Sequence, residues 1–184
     1  VEREYRLLSA LKPLDFPVPR PLALCADANV IGAIFYVMEM VKGRPYANGA
    51  LPDFDAATRR KMYEQLVDTL ADLHNIDPVA ADLSDFGKSG NYFERQVARW
   101  TRQYRDSETD YIPEMERLIA FLPGTLPEQS RVSVVHGDYR IDNVVFDGDG
   151  TLTAVLDWEL ATLGDPLADF SYLAMQWMMP ADGA

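Results

Sequence analysis

A single cysteine, Cys25, stands in the 184 residues, so no internal disulfide can staple the chain, and a lone thiol fits a reducing compartment. Positive charge is also scarce. With 17 Lys and Arg against 29 Asp and Glu, the formal charge is −12 at pH 7, whereas binders of nucleic acid or anionic membranes need a basic face. No apolar run approaches the roughly 20 residues of a membrane span, and no secretory leader opens the sequence. The expectation is a cytoplasmic domain with neither nucleic acid nor membrane among its partners. The 48% of hydrophobic residues is ample for one core at this length.

The most informative stretch is His136-Gly137-Asp138-Tyr139-Arg140-Ile141-Asp142-Asn143. The apolar run Val132 to Val135 precedes it. Val144 to Phe146, the turn Asp147-Gly148-Asp149-Gly150 and the strand Leu152 to Leu156 follow, ending at Asp157-Trp158-Glu159. Asp138 and Asn143 therefore share one loop, and a tight hairpin returns Asp157 beside them. Phosphoryl transfer needs a carboxylate that orients the acceptor hydroxyl and takes its proton, and oxygen ligands for the Mg²⁺ that neutralises nucleotide phosphates. Asp138 suits the first task, Asn143 and Asp157 the second. Their order and spacing reproduce the kinase pattern H-x-D-x-x-x-x-N with a downstream metal Asp.

Taken singly, these residues have plainer explanations. An Asp after a strand commonly turns or caps the chain, and Asn143 alone would form an Asx-turn; only the joint spacing favours chemistry. A metal-dependent hydrolase built on His136, Asp138 and Asp157 leaves Asn143 unexplained. Gly87-Lys88-Ser89 lacks the first glycine of a phosphate loop, since Asp82 stands there, and Asp147 to Gly150 lacks a calcium-loop Glu, since Trp158 stands there.

Elsewhere, Val1 to Leu11 has helical periodicity and ends near Pro13. Pro21 to Ala26 and Ile34 to Val41 read as paired strands, the second nearly all apolar and so expected to be buried. Asp53 or Asp55 can cap a helix running to about His74, with Met62, Leu66, Leu70 and Leu73 facing the core. Phe93, Val97, Trp100 and Tyr104 form a second such stripe, and Met115, Leu118, Ile119 and Leu122 a third. Asp165 and Pro166 start a last helix, and Asp169 within it must find donors if buried.

This ordered set resembles the aminoglycoside phosphotransferase and choline kinase family of protein-kinase-like small-molecule kinases, most nearly the kinase-like domains found alone or fused to acyl-CoA dehydrogenases. The likeness is carried by His136 to Asn143, Leu156 to Leu160 and Gly164-Asp165-Pro166-Leu167-Ala168-Asp169, and more weakly by Tyr92 to Tyr104 and Glu2 to Arg6. It implies an α+β bilobal kinase-like fold, with residues 1–43 as a partial N-lobe (helix, two strands, hinge) and 44–184 as a helical C-lobe. It implies that the Glu39 carbonyl and the Val41 backbone meet the adenine of ATP or GTP, that Glu4 is the helix Glu awaiting a strand Lys, and that His136 and Asp169 brace the catalytic loop. The implied reaction moves a nucleotide γ-phosphate to a hydroxyl of a small molecule, with a hydroxyacyl-CoA favoured over an aminoglycoside or choline. Arg95, Arg99 and Arg102 could then meet CoA phosphates. An inactive nucleotide- or ligand-binding module is the alternative.

Neither a Gly-rich loop nor a strand Lys precedes Glu4, since the lysines are Lys12, Lys42, Lys61 and Lys88. The expectation is therefore an excised piece of a longer protein, its last helix cut off at Ala184.

Overall fold

The computed structural model describes residues 1–179. In helix α1 (Glu2–Leu11) the apolar positions fall on one face and bury Leu7, Leu8 and Leu11, and a 3-10 turn containing Pro13 ends it. The helix packs on an antiparallel hairpin, β1 (Pro21–Cys25) and β2 (Phe35–Met38). β2 departs from expectation. It stops at Met38, short of Val41, and Val37 and Met38 are 45% and 40% exposed: Val37 points away from the face on which Tyr36 meets Tyr5 of α1, and Met38 ends the strand. Met40 is 92% exposed, so core packing does not account for it.

Asp55, not Asp53, caps α2 (Ala56–Asn75) by accepting the Thr58 amide at 2.7 Å. Met62, Leu66, Leu70 and Leu73 all lie in the core, as their spacing requires. The two later stripes do not. In α3 (Tyr92–Ser107) only Tyr92 is buried, and in α4 (Pro113–Phe121) no residue is; Trp100 is 47% exposed. Periodicity gives a helix an apolar face but does not say what covers it.

Four short strands follow: β3 (Ser133–Val135), β4 (Val144–Phe146), β5 (Leu152–Val155) and β6 (Thr162–Gly164). β4 and β5 form the expected hairpin, whose turn Asp147 closes by accepting the amides of Asp149 and Thr151. β3 pairs with β6, a strand the sequence reading did not foresee. Backbone bonds between Arg44 and Phe146 tie the segment after β2 to the hairpin edge. Gly43 makes that approach possible: its φ is +123°, and a Cβ there would strike the Phe146 carbonyl.

The last described helix, α5 (Pro166–Met175), begins at the Asp165 cap, which accepts the Leu167 amide at 2.9 Å. Burial works to raise the Asp165 pKa, but hydrogen bonds from Leu167 and Ser130 outweigh it and hold the carboxyl below its usual range. α5 ends at Met175, and the expectation concerning Ala184 lies outside the described residues. No helix among the described residues is long and apolar enough to cross a membrane.

Candidate active site

The strand ends converge on one loop. His136 leaves β3 fully buried, edge-on to Tyr139 and tilted against Trp158 with ring centroids 5.7 and 4.5 Å away. Its Nε2 lies 2.8 Å from the Leu156 carbonyl, which can only accept, and its Nδ1 lies 3.2 Å from the Asp138 amide, which can only donate. Both contacts are met by a single tautomer of the neutral ring, protonated at Nε2. Burial pushes the His136 pKa down, in agreement with that assignment. His136 thus has no nitrogen lone pair left for a substrate proton or a metal, and the hydrolase reading loses one of its three groups.

Asp169, 2% exposed in the first turns of α5, finds its donors in the loop that follows β3. Its two oxygens accept the His136 amide at 2.6 Å and the Gly137 amide at 2.8 Å, and His74 Nε2 lies 3.2 Å away. Gly137 has φ +86°, and a Cβ there would lie 2.8 Å from the Leu160 carbonyl oxygen, so the loop can pass only as glycine. His74 escaped sequence reading; its signal was a His at the end of the buried α2 stripe.

On this floor stands Asp138, part-exposed, with Oδ2 accepting from Asn143 Nδ2 at 3.0 Å. The same amide nitrogen bonds the Asp138 carbonyl at 2.8 Å, and the Asn143 side-chain oxygen has no intramolecular partner among the described residues. Leu156 donates its amide to the Asn143 carbonyl at 2.8 Å, which fixes the next residue, Asp157, beside Asn143. Asp157 is exposed and adopts φ +62°, a left-handed conformation uncommon outside glycine and concentrated at functional sites. Arg140 is held bidentately by Asp142, with Nε to Oδ1 at 2.7 Å, and its Nε lies 3.9 Å from Asp138.

Tyr36 of β2 was not anticipated. Its ring packs edge-on against Tyr5 of α1 at 6.2 Å, and its phenol pKa is raised by burial and then by the charges of Glu4 and Asp157. Glu4 itself contacts the amino group of Val1 at 3.1 Å. The Glu39 side chain accepts the Arg20 amide at 2.9 Å, while the Glu39 carbonyl and the Val41 amide have no intramolecular partners among the described residues. On the other side of the loop, a cavity of about 520 Å³ between α3 and α5 is walled by Phe93, Trp100, Tyr172 and Met175 and reaches Gly137 and Asp169.

No three His, Cys, Asp or Glu side chains among the described residues group as a metal cage. Mg²⁺ does not require one, because it is usually held by one or two carboxylates together with substrate phosphates. The exposed Asp157 carboxylate and the free Asn143 amide oxygen are donors of the right kind.

A helix-backed hairpin, a helical body and a catalytic-loop hairpin compose the α+β protein-kinase-like fold. The profile of the phosphotransferase enzyme family, APH, matches residues 1–184, and the chain belongs to that family. It is 45% identical over 182 residues to mouse (Mus musculus) acyl-CoA dehydrogenase family member 10, covering 98% of this chain and 17% of that protein. A crystal structure from Ralstonia eutropha, provisionally assigned as an aminoglycoside phosphotransferase, superposes with a TM-score of 0.91 at 46% identity, covering 100% of this chain and 56% of that one. The aminoglycoside phosphotransferase APH(3'')-Id of Streptomyces rimosus, solved with ADP and streptomycin, shares the fold at a TM-score of 0.66 and 23% identity, over 99% of this chain and 69% of that one. The chain thus spans little more than half of the Ralstonia structure and a small part of the mouse protein.

Proposed function

We propose that the protein transfers the γ-phosphoryl group of ATP or GTP to a hydroxyl of a small molecule, with Asp138 as the base and Asn143 and Asp157 as the metal-facing pair. The observation that carries this reading is the Asp138–Asn143 hydrogen bond of 3.0 Å on a loop whose neighbouring strand delivers Asp157 alongside. Asn143 restrains one carboxylate oxygen of Asp138, leaving the other to accept the substrate O–H. As the hydroxyl oxygen bonds to the γ-phosphorus, the bond to the nucleotide's bridging oxygen breaks, and the proton passes to Asp138. Mg²⁺, when bound at Asn143 and Asp157, would neutralise the phosphate charge.

In this reading residues 1–43 belong to the nucleotide-facing lobe and 44–184 to the helical lobe. The free Glu39 carbonyl and Val41 amide meet the adenine, Glu4 faces the same cleft, and ADP in the Streptomyces relative supports a nucleotide there. His136 and Asp169 position the loop without touching substrate. The lone Cys25 fits a cytoplasmic location.

For the acceptor, we infer a hydroxyacyl thioester such as a hydroxyacyl-CoA. The name of the mouse relative and the aromatic wall of the α3–α5 cavity both favour an acyl group over a polycationic aminoglycoside. Incubation with ATP or GTP, Mg²⁺ and hydroxyacyl-CoAs, choline or an aminoglycoside should give phosphorylated acyl product equal to the nucleotide consumed. Free phosphate alone would refute transfer. An amine preferred by more than about tenfold in kcat/KM, about 1.4 kcal/mol in transition-state binding, would refute the acyl acceptor only.

A further inference from the structure

Basic side chains in this acidic chain gather at one unexpected place. Arg3, Lys88, Arg95 and Arg99 line a cavity of about 430 Å³ between α1, the loop before α3, α3 itself and the approach to β6, where Glu159 is the one carboxylate in the wall. None of the four forms an ion pair among the described residues, although the chain offers 29 acidic side chains. Other exposed arginines do find partners: Arg6 pairs with Asp85, Arg60 with Glu64 and Arg105 with Glu116.

Two of the three guanidinium groups are hydrogen-bonded to uncharged backbone carbonyls. Arg3 donates to the carbonyls of Phe86 and Ala161 at 2.9 and 3.1 Å and lies 4.4 Å over the Phe86 ring, while Arg95 donates to the Lys88 carbonyl at 2.7 Å. Four cations around a single carboxylate that pairs with none of them repel one another, and an anion relieves that repulsion. Arginine forks suit phosphate in particular, since they can bond it bidentately.

This cavity adjoins the aromatic one. Gln96, Arg99 and Leu160 line both, and the aromatic cavity reaches Gly137, the neighbour of Asp138. Arg102, on the same face of α3, lines neither. The four cations, then Phe93 and Trp100, then Gly137 thus lie in sequence along two adjoining cavities.

We propose that the basic cavity binds the phosphate-bearing handle of the acceptor, while the acyl arm lies in the aromatic cavity and presents its hydroxyl at Asp138. The last clause rests on the phosphoryl-transfer reading; the handle site does not. It is distinct from the site proposed for the nucleotide, since Glu39, Val41 and Asp157 line neither cavity.

Calorimetric titration of CoA into the protein saturated with Mg-ADP tests the site. CoA should bind one to one beside ADP, at least tenfold more weakly to Arg99→Gln and Lys88→Gln, both changes at exposed positions, and more weakly as salt is raised. Pantetheine, which lacks the phosphates, should bind weakly and alike to all three proteins. Asp138→Asn should bind CoA as the wild type does, so a failed transfer assay and a failed handle site are separate results. The proposal is overturned if the wild type does not bind CoA, if ADP displaces it, if both substitutions leave its affinity within twofold, or if pyrophosphate binds as tightly as CoA.

Discussion

The loops of Asp138 and Asp157 lie side by side and are held in opposite ways. Beneath Asp138, the backbone from His136 to Asp138 has its amides bound by Asp169 and the His136 ring, under a floor made by Tyr139 and Trp158. Asp157 is exposed, in a left-handed conformation, and its carboxylate has no intramolecular hydrogen bond among the described residues. One loop stores its geometry in buried polar contacts, while the other presents an unpartnered carboxylate that, in the proposed function, faces the metal. Damage to the first should therefore appear as lost stability, and damage to the second as lost binding.

Asp169→Ala gives the largest effect. It strands the amides of His136 and Gly137 and the His74 ring, and buried polar groups without partners cost about 1–3 kcal/mol each, so unfolding in urea should show a loss of roughly 3 kcal/mol or more. A loss below about 1 kcal/mol would mean that the loop holds itself.

A smaller effect comes from pH. The folded-state pKa of His136 is depressed by burial, so only the unfolded chain takes up the proton as pH falls below the ordinary value near 6.5. Its contribution is complete above pH 6.5 and is lost below it, by up to about 1.4 kcal/mol per pH unit. The stability advantage over His136→Gln, measured by urea from pH 8 to 5, should shrink below pH 6.5; referring to the variant cancels the general effect of acidifying an acidic chain. An advantage that grows on acidification would contradict a neutral, buried His136.

Asp157→Asn should have the least effect on stability, within about 0.5 kcal/mol, because Asn tolerates the left-handed conformation and Asp157 supports no neighbour. Its Mg²⁺-dependent affinity for ATP should nevertheless fall tenfold or more in calorimetry. Unchanged affinity would remove Asp157 from the metal pair and erase the contrast between the loops.

How far all this was legible varied with the physics involved. The hairpin from Val144 to Leu156 and the α2 stripe were plain, because local alternation, an Asp-Gly turn and helical spacing suffice to specify them. The β3–β6 pairing was not, since Thr162-Leu163-Gly164 is too short to show alternation and its partner is distant in sequence. The exposure of Val37, Met38 and Trp100 was equally hidden, because a pattern reveals an apolar face but not its cover. At the site, Asp138, Asn143 and Asp157 were named from spacing alone. Tyr36, His74 and the cations around Glu159 came together only through tertiary packing.

The central claim is that Asp138 takes the acceptor's proton on a loop whose shape does not depend on it. The most direct measurement is the phosphoryl-transfer rate of Asp138→Asn beside its urea midpoint and its Mg-nucleotide affinity. Turnover should fall roughly 10²–10⁴-fold, the usual worth of a positioned general base, while midpoint and affinity stay at wild-type values. Near-normal turnover in a folded, nucleotide-binding variant would contradict the account.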